Sequence, residues 1–77
     1  MVIDLTRVKN GESGIIKEFD SGYEFMRKIQ SMGIRPGKNI KKLSSHFWRG
    51  PQTVEVDNVR VAIGWGMAKN IFIEVNR

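Results

Sequence analysis

Ser31-Met32-Gly33-Ile34-Arg35-Pro36-Gly37 is the stretch whose reading decides the fold. Before it the chain builds toward one short helix. After it come short apolar runs that read as strands. Gly33 fits the left-handed position just beyond a helix end, where a residue with a Cβ would clash. Ile34 is then expected to fold back onto Ile29, the hydrophobic contact that accompanies such a cap. Pro36 cannot continue a helix and biases Arg35 toward an extended conformation. Gly37 after Pro36 suits a tight turn with positive φ that launches the next strand.

Upstream, Phe25, Met26, Ile29 and Met32 have the spacing of one buried helical face, with Arg27, Lys28 and Gln30 on the other side. Asp20-Ser21-Gly22-Tyr23-Glu24 opens this helix. Ser21 and Glu24 stand at capping-box spacing, and Glu24 suits the positive end of the helix dipole. Ser13 to Phe19 reads as the first true strand. Parity puts Phe19 on the face of Ile15 unless a bulge near Gly14 shifts the phase. Asn10-Gly11-Glu12 is a turn signal, and in the apolar N-terminal patch Leu5 and Val8 are expected to pack as a lid or edge piece.

Downstream, Asn39 to Ser45 is the second main strand. Ile40 and Leu43 are three apart, so a bulge or bend near Lys41-Lys42 is expected. Ser45 to Pro51 is a loop carrying His46, Phe47, Trp48 and Arg49. Val54 and Val56 face inward on the next strand. Asp57-Asn58 makes a two-residue hairpin loop, and Val59, Val61 and Ile63 face inward on the return. Residues 64–70 have room for one tight helical turn, with Trp65 as the cap of the core. Ile71, Ile73 and Val75 face inward on the last strand, leaving Phe72 outside under some cover. Five or six short strands and one short helix fit a small, highly curved antiparallel β-barrel.

The chain has 77 residues, no cysteine and a formal charge of +5. One domain spanning 1–77 is expected, with neither a disulfide framework nor a thiolate metal site. No run reaches the roughly 20 apolar residues of a membrane span, and no basic segment followed by an apolar one marks a signal peptide. A cytoplasmic protein without stable membrane insertion is the expectation. The charge is uneven. Residues 1–24 carry a net −2, residues 25–54 carry +7 with no acid, and residues 55–77 balance. The +7 comes from Arg27, Lys28, Arg35, Lys38, Lys41, Lys42 and Arg49. Such a segment suits phosphate, anionic lipid or an acidic protein surface, or is simply a solvated face.

Catalytic chemistry has little to stand on. His46 is the single histidine and has no acid within eight residues, so a metal role there needs donors brought in by the fold. No serine or threonine has a paired base nearby, and the phosphate-binding Gly-x-x-x-x-Gly-Lys-[Ser/Thr] loop is missing. The chain reads as a non-enzyme. Binding remains, through Trp48 and Arg49 on one loop and through the cations around the opening stretch.

The pattern Gly11-x-x-Gly14-x-Ile16, then a short helix, then Met32-Gly33-Ile34-x-Pro36-Gly37, then Val61-Ala62-Ile63 and Met67-Ala68-x-x-Ile71-x-Ile73, resembles the ferrous iron transport protein A (FeoA) family from Leu5 to Val75. The resemblance implies a mainly β, SH3-like antiparallel barrel with a helix between its first two main strands. It implies a cytoplasmic accessory role for the membrane transporter of ferrous iron, FeoB, and a family-level association with transition metal ions such as Fe2+. The same domain type ends the repressors of the diphtheria toxin repressor class, where it is an interaction module.

The leading expectation is a protein–protein module acting on FeoB through Arg27, Lys28, Arg35, Lys38, Trp48 and Arg49. The alternative is a nucleic-acid-binding SH3-like barrel, motivated by the +7 segment and Trp48. A metal sensor built on His46 is a third. Proline-peptide recognition lacks its aromatic groove, since Tyr23 is the only tyrosine.

Overall fold

The helix stop holds as expected. In the computed structural model, which describes residues 1–20, 22–46 and 48–77, helix α1 spans Tyr23–Ser31. Gly33 has φ +87° and Gly37 φ +89°. The Gly33 amide donates to Gln30 O at 3.0 Å and the Ile34 amide to Ile29 O at 3.3 Å, the paired bonds of a Schellman cap. Ile29 and Ile34 are both fully buried, so the same turn that ends the helix also seats two core side chains.

Six strands follow the chain: β1 Val2–Asp4, β2 Ser13–Phe19, β3 Asn39–Ser45, β4 Gln52–Val56, β5 Val59–Ile63 and β6 Ile71–Val75. A 3₁₀ turn covers Leu5–Arg7, and a four-residue helix, α2, covers Trp65–Ala68. All pairings are antiparallel, in the order β1-β6-β2-β3-β4-β5. One core cluster draws on every strand, the 3₁₀ turn and both helices, from Ile3 and Leu5 to Ile73 and Val75. A sheet whose six strands all feed one cluster must wrap around it, which is the expected SH3-like barrel. Its two ends, β1 and β5, are not joined by a ladder among the described residues.

Local chemistry accounts for most of these elements. Asp57 and Asn58 have φ +53° and +65°, a conformation their short polar side chains tolerate, and they join β4 to β5 with Val56 opposite Val59. Gly14 lies where β6 crosses closest, and a Cβ there would run into Glu74 O and the Ile73 side chain. The N-terminal patch forms strand β1 on β6, and Leu5 and Val8 enter the core itself.

Several expectations are corrected. The helix N-cap is Gly22, with no side-chain cap bond, so Glu24 sits one position short of a capping box but stays in the first turn. Ser21 lies outside the described residues, as does Phe47. Met26 is exposed. It stands about 100° around the helix from Phe25, while Ile29 and Met32 return to within about 40° of it. The β2 bulge falls at Lys17, not near Gly14, so Ile16 and Phe19 share the inner side and Ile15 is outside. On β3 the irregularity falls at Leu43, and Ile40 alternates inward with Lys42. Val59 is 57% exposed at the free edge of β5. Trp65 is only half-buried, and Met67 and Ala68 of α2 meet the core in its place.

Candidate docking surface

Helix α1 and its C-cap residue turn Phe25, Ile29 and Met32 toward the core and leave Arg27 and Lys28 in solvent. These two cations share an open groove with Glu24, Phe25, Ser31 and Met67. Phe25 and Met67 are half-buried against the core, so the groove has an apolar base from α1 and α2 and a charged rim from α1, two cations against the one acid Glu24. Ser31, also in the lining, donates its hydroxyl to Lys28 O at 2.6 Å.

Arg35 is exposed in the turn that follows, and its carbonyl accepts the Lys38 amide at 3.1 Å. Lys38 is committed elsewhere. Its Nζ meets Asp57 Oδ2 at 2.6 Å, tying the start of β3 to the β4–β5 hairpin. Both side chains are largely in water, which limits such a pair to about 0–1 kcal/mol. Trp48 and Arg49 lie beyond the opposite end of β3, and seven residues at about 3.3 Å each put them roughly 20 Å from Lys38. Trp48 is 97% exposed. Of the six candidates, Arg27 and Lys28 line the α1 groove, Arg35 and Lys38 lie in the turn that leads to β3, and Trp48 and Arg49 lie on a separate loop tip.

The residue that sequence reasoning missed is Lys42. It is 1% exposed, and its ammonium donates to Leu5 O at 2.8 Å, Val8 O at 2.9 Å and Thr6 O at 3.2 Å. All three ammonium donors are used, and three carbonyls around the 3₁₀ turn are satisfied. Burial holds the Lys42 pKa below the ordinary lysine value, against the opposing pull of the Asp4 carboxylate. Strict alternation from Ile40 was the available signal. Of the seven cations in the acid-free segment, Lys42 is thus internal and Lys38 is paired. Arg27, Lys28, Arg35, Lys41 and Arg49 have no ion-pair partner among the described residues.

A second electrostatic clasp lies outside that segment. Arg77 donates from Nε to Glu12 Oε2 at 2.9 Å and from Nη2 to Glu12 Oε1 at 3.1 Å. The guanidinium beside it, with the Lys9 amide, holds the Glu12 carboxyl below its usual range. His46 is exposed, and no group of three or more His, Cys, Asp or Glu side chains converges among the described residues. The donor set does not fit a resident metal ion.

The FeoA domain model matches residues 3–75, nearly the whole chain. The chain belongs to the FeoA domain family. It is 34% identical over 70 residues to a Methanocaldococcus jannaschii protein named as an Fe(2+) transport protein A, covering 91% of this chain and 83% of that one. It superposes on a crystal structure described as an iron uptake regulatory protein (FeoA) with a TM-score of 0.87 and 35% identity, covering 96% of each chain. A manganese-dependent transcriptional repressor shares the fold at a TM-score of 0.89 and 20% identity, with 42% of that longer chain covered. The same fold thus occurs both nearly alone and as a part of a longer chain. Among the described residues, no helix is long and apolar enough to cross a membrane.

Proposed function

We propose that this chain is a single-domain, non-catalytic, cytoplasmic accessory protein of ferrous iron transport that acts by docking on the membrane transporter FeoB. The family match across residues 3–75 carries this reading. The α1 groove supports a docking role. Its rim cations Arg27 and Lys28 and the nearby Arg35 have no ion-pair partner among the described residues, so an acidic partner surface gains them without breaking existing contacts. Fe2+ enters this reading as the transporter's cargo, since no group of three or more His, Cys, Asp or Glu side chains converges among the described residues. The test is co-purification with the full-length transporter in detergent. A stable or salt-sensitive complex is expected. Absence of any complex at about tens of micromolar, a weak-affinity range, overturns the docking reading.

Nucleic-acid binding is less favoured. Lys42 is internal and Lys38 paired, so the basic segment offers fewer free cations than its sequence does. A steep loss of oligonucleotide affinity with salt would restore that reading.

A further inference from the structure

We propose that the β3–β4 loop tip, led by Trp48 and Arg49, is a reversible anchor for an anionic phospholipid surface. Trp48 is the most exposed of the large hydrophobic side chains described, at 97%. A whole indole held in water is poorly placed for the folded chain alone, and an indole is the side chain best suited to the bilayer headgroup region.

The loop is built to present it. Trp48 and Arg49 have φ +59° and +61°, a left-handed pair that bulky side chains rarely adopt. The two-residue β4–β5 hairpin of the same sheet fills its left-handed positions with Asp57 and Asn58, which tolerate them. Turn formation therefore does not explain the residue choice, and such backbone positions are concentrated at functional sites. The base of the loop is fixed. The His46 amide donates to Pro51 O at 3.3 Å, and the buried Gln52 donates from Nε2 to Gly50 O at 3.3 Å.

Charge and register point the same way. Arg49 has no ion-pair partner among the described residues, and the surrounding segment from Phe25 to Val54 contains no acid. An anionic headgroup layer complements that tip at about a few-fold in affinity per cation. The pairing of Gln52 with Ile63 brings the β5–α2 turn, with half-buried Trp65, to the same end of the β4–β5 ladder. A protruding indole beside a cation without an ion-pair partner among the described residues suits shallow interfacial insertion. The inference goes beyond transporter docking and stands without it.

The experiment uses the full chain and protein-free vesicles, so its outcome is independent of any transporter. In a Trp65→Phe variant, Trp48 is the sole indole. Its emission is expected to shift to the blue and to lose acrylamide quenching with phosphatidylcholine vesicles containing phosphatidylglycerol. The shift is weaker with phosphatidylcholine alone. Sedimentation of the unsubstituted chain with the same vesicles checks the result without relying on Trp65→Phe. Trp48→Ala and Arg49→Glu, both on an exposed loop, are each expected to lower vesicle affinity about tenfold or more. No blue shift and no sedimentation with anionic vesicles overturns the proposal. So does vesicle binding that Trp48→Ala leaves unchanged, which would be attraction by net charge alone. A blue shift with single-stranded oligonucleotide but not with vesicles overturns it in favour of base stacking.

Discussion

Replacing Lys42 with methionine removes one ammonium and keeps most of the stem's volume. Three carbonyls lose their donor, those of Leu5 and Val8 in the interior and that of Thr6 in a partly buried position. Each buried acceptor left unpaired costs about 1–3 kcal/mol, and the two interior ones together cost about 2–6 kcal/mol. Against this, the variant no longer buries a charge, whose desolvation lowers the Lys42 pKa. A net loss of about 2–4 kcal/mol follows, a large share of the total stability of about 4–11 kcal/mol for a chain this size. Urea unfolding followed by circular dichroism reads it directly, and Tm is expected to fall by about 10–25 °C. A pH series separates charge from packing. Between its lowered folded value and the ordinary lysine value, Lys42 holds its proton more in the unfolded chain, so stability rises with pH in that alkaline window. Lys42→Met lacks that component. A variant within about 0.5 kcal/mol of the parent, a change typical of surface sites, with the same alkaline slope, refutes the role given to the ammonium.

Three further outcomes are expected. Gly14→Ala drives a Cβ into Glu74 O and the Ile73 side chain and should destabilise by about 1–3 kcal/mol, read as a lower urea midpoint with an unchanged m-value. Gly33→Ala has open space around it but a φ of +87°, so it should cost about 1–2 kcal/mol from backbone strain alone, measured by thermal unfolding. Glu12→Gln removes a carboxylate whose folded pKa is depressed by Arg77. The parent should lose stability as pH falls through the acidic range below the usual glutamate value. The variant should show a shallower loss, as seen by comparing their acid-unfolding curves.

What could be read from the sequence was local. The Gly33 cap, the Asp57-Asn58 hairpin and the alternation of β4 and β6 each depend on neighbours within a few residues, and all are found as expected. What could not be read was decided by distant partners. Lys42 is internal because carbonyls 34 to 37 positions earlier in the chain surround its ammonium. Lys38 is engaged because the fold brings Asp57, 19 positions on, to its side. Met26 is outward, although its spacing from Phe25, Ile29 and Met32 places it at the margin of the buried face. The candidate site shows the same division. Its residue types were visible, but the separation of the α1 and turn residues from the loop tip depends on the length and direction of β3. The family pattern follows the same physics, since Gly14, Gly33 and Gly37 stand where β6 approaches closely or φ is positive.

Docking on the ferrous iron transporter is tested most directly by titrating the full-length transporter with the parent chain and with a variant carrying Arg27→Glu, Lys28→Glu and Arg35→Glu. All three side chains are exposed and unpaired among the described residues, so the variant should fold like the parent by circular dichroism. Saturable binding of the parent, weakened about tenfold or more by the reversal and recovered in part at high salt, is the predicted result. No binding by the parent, or equal binding by both chains, would contradict it.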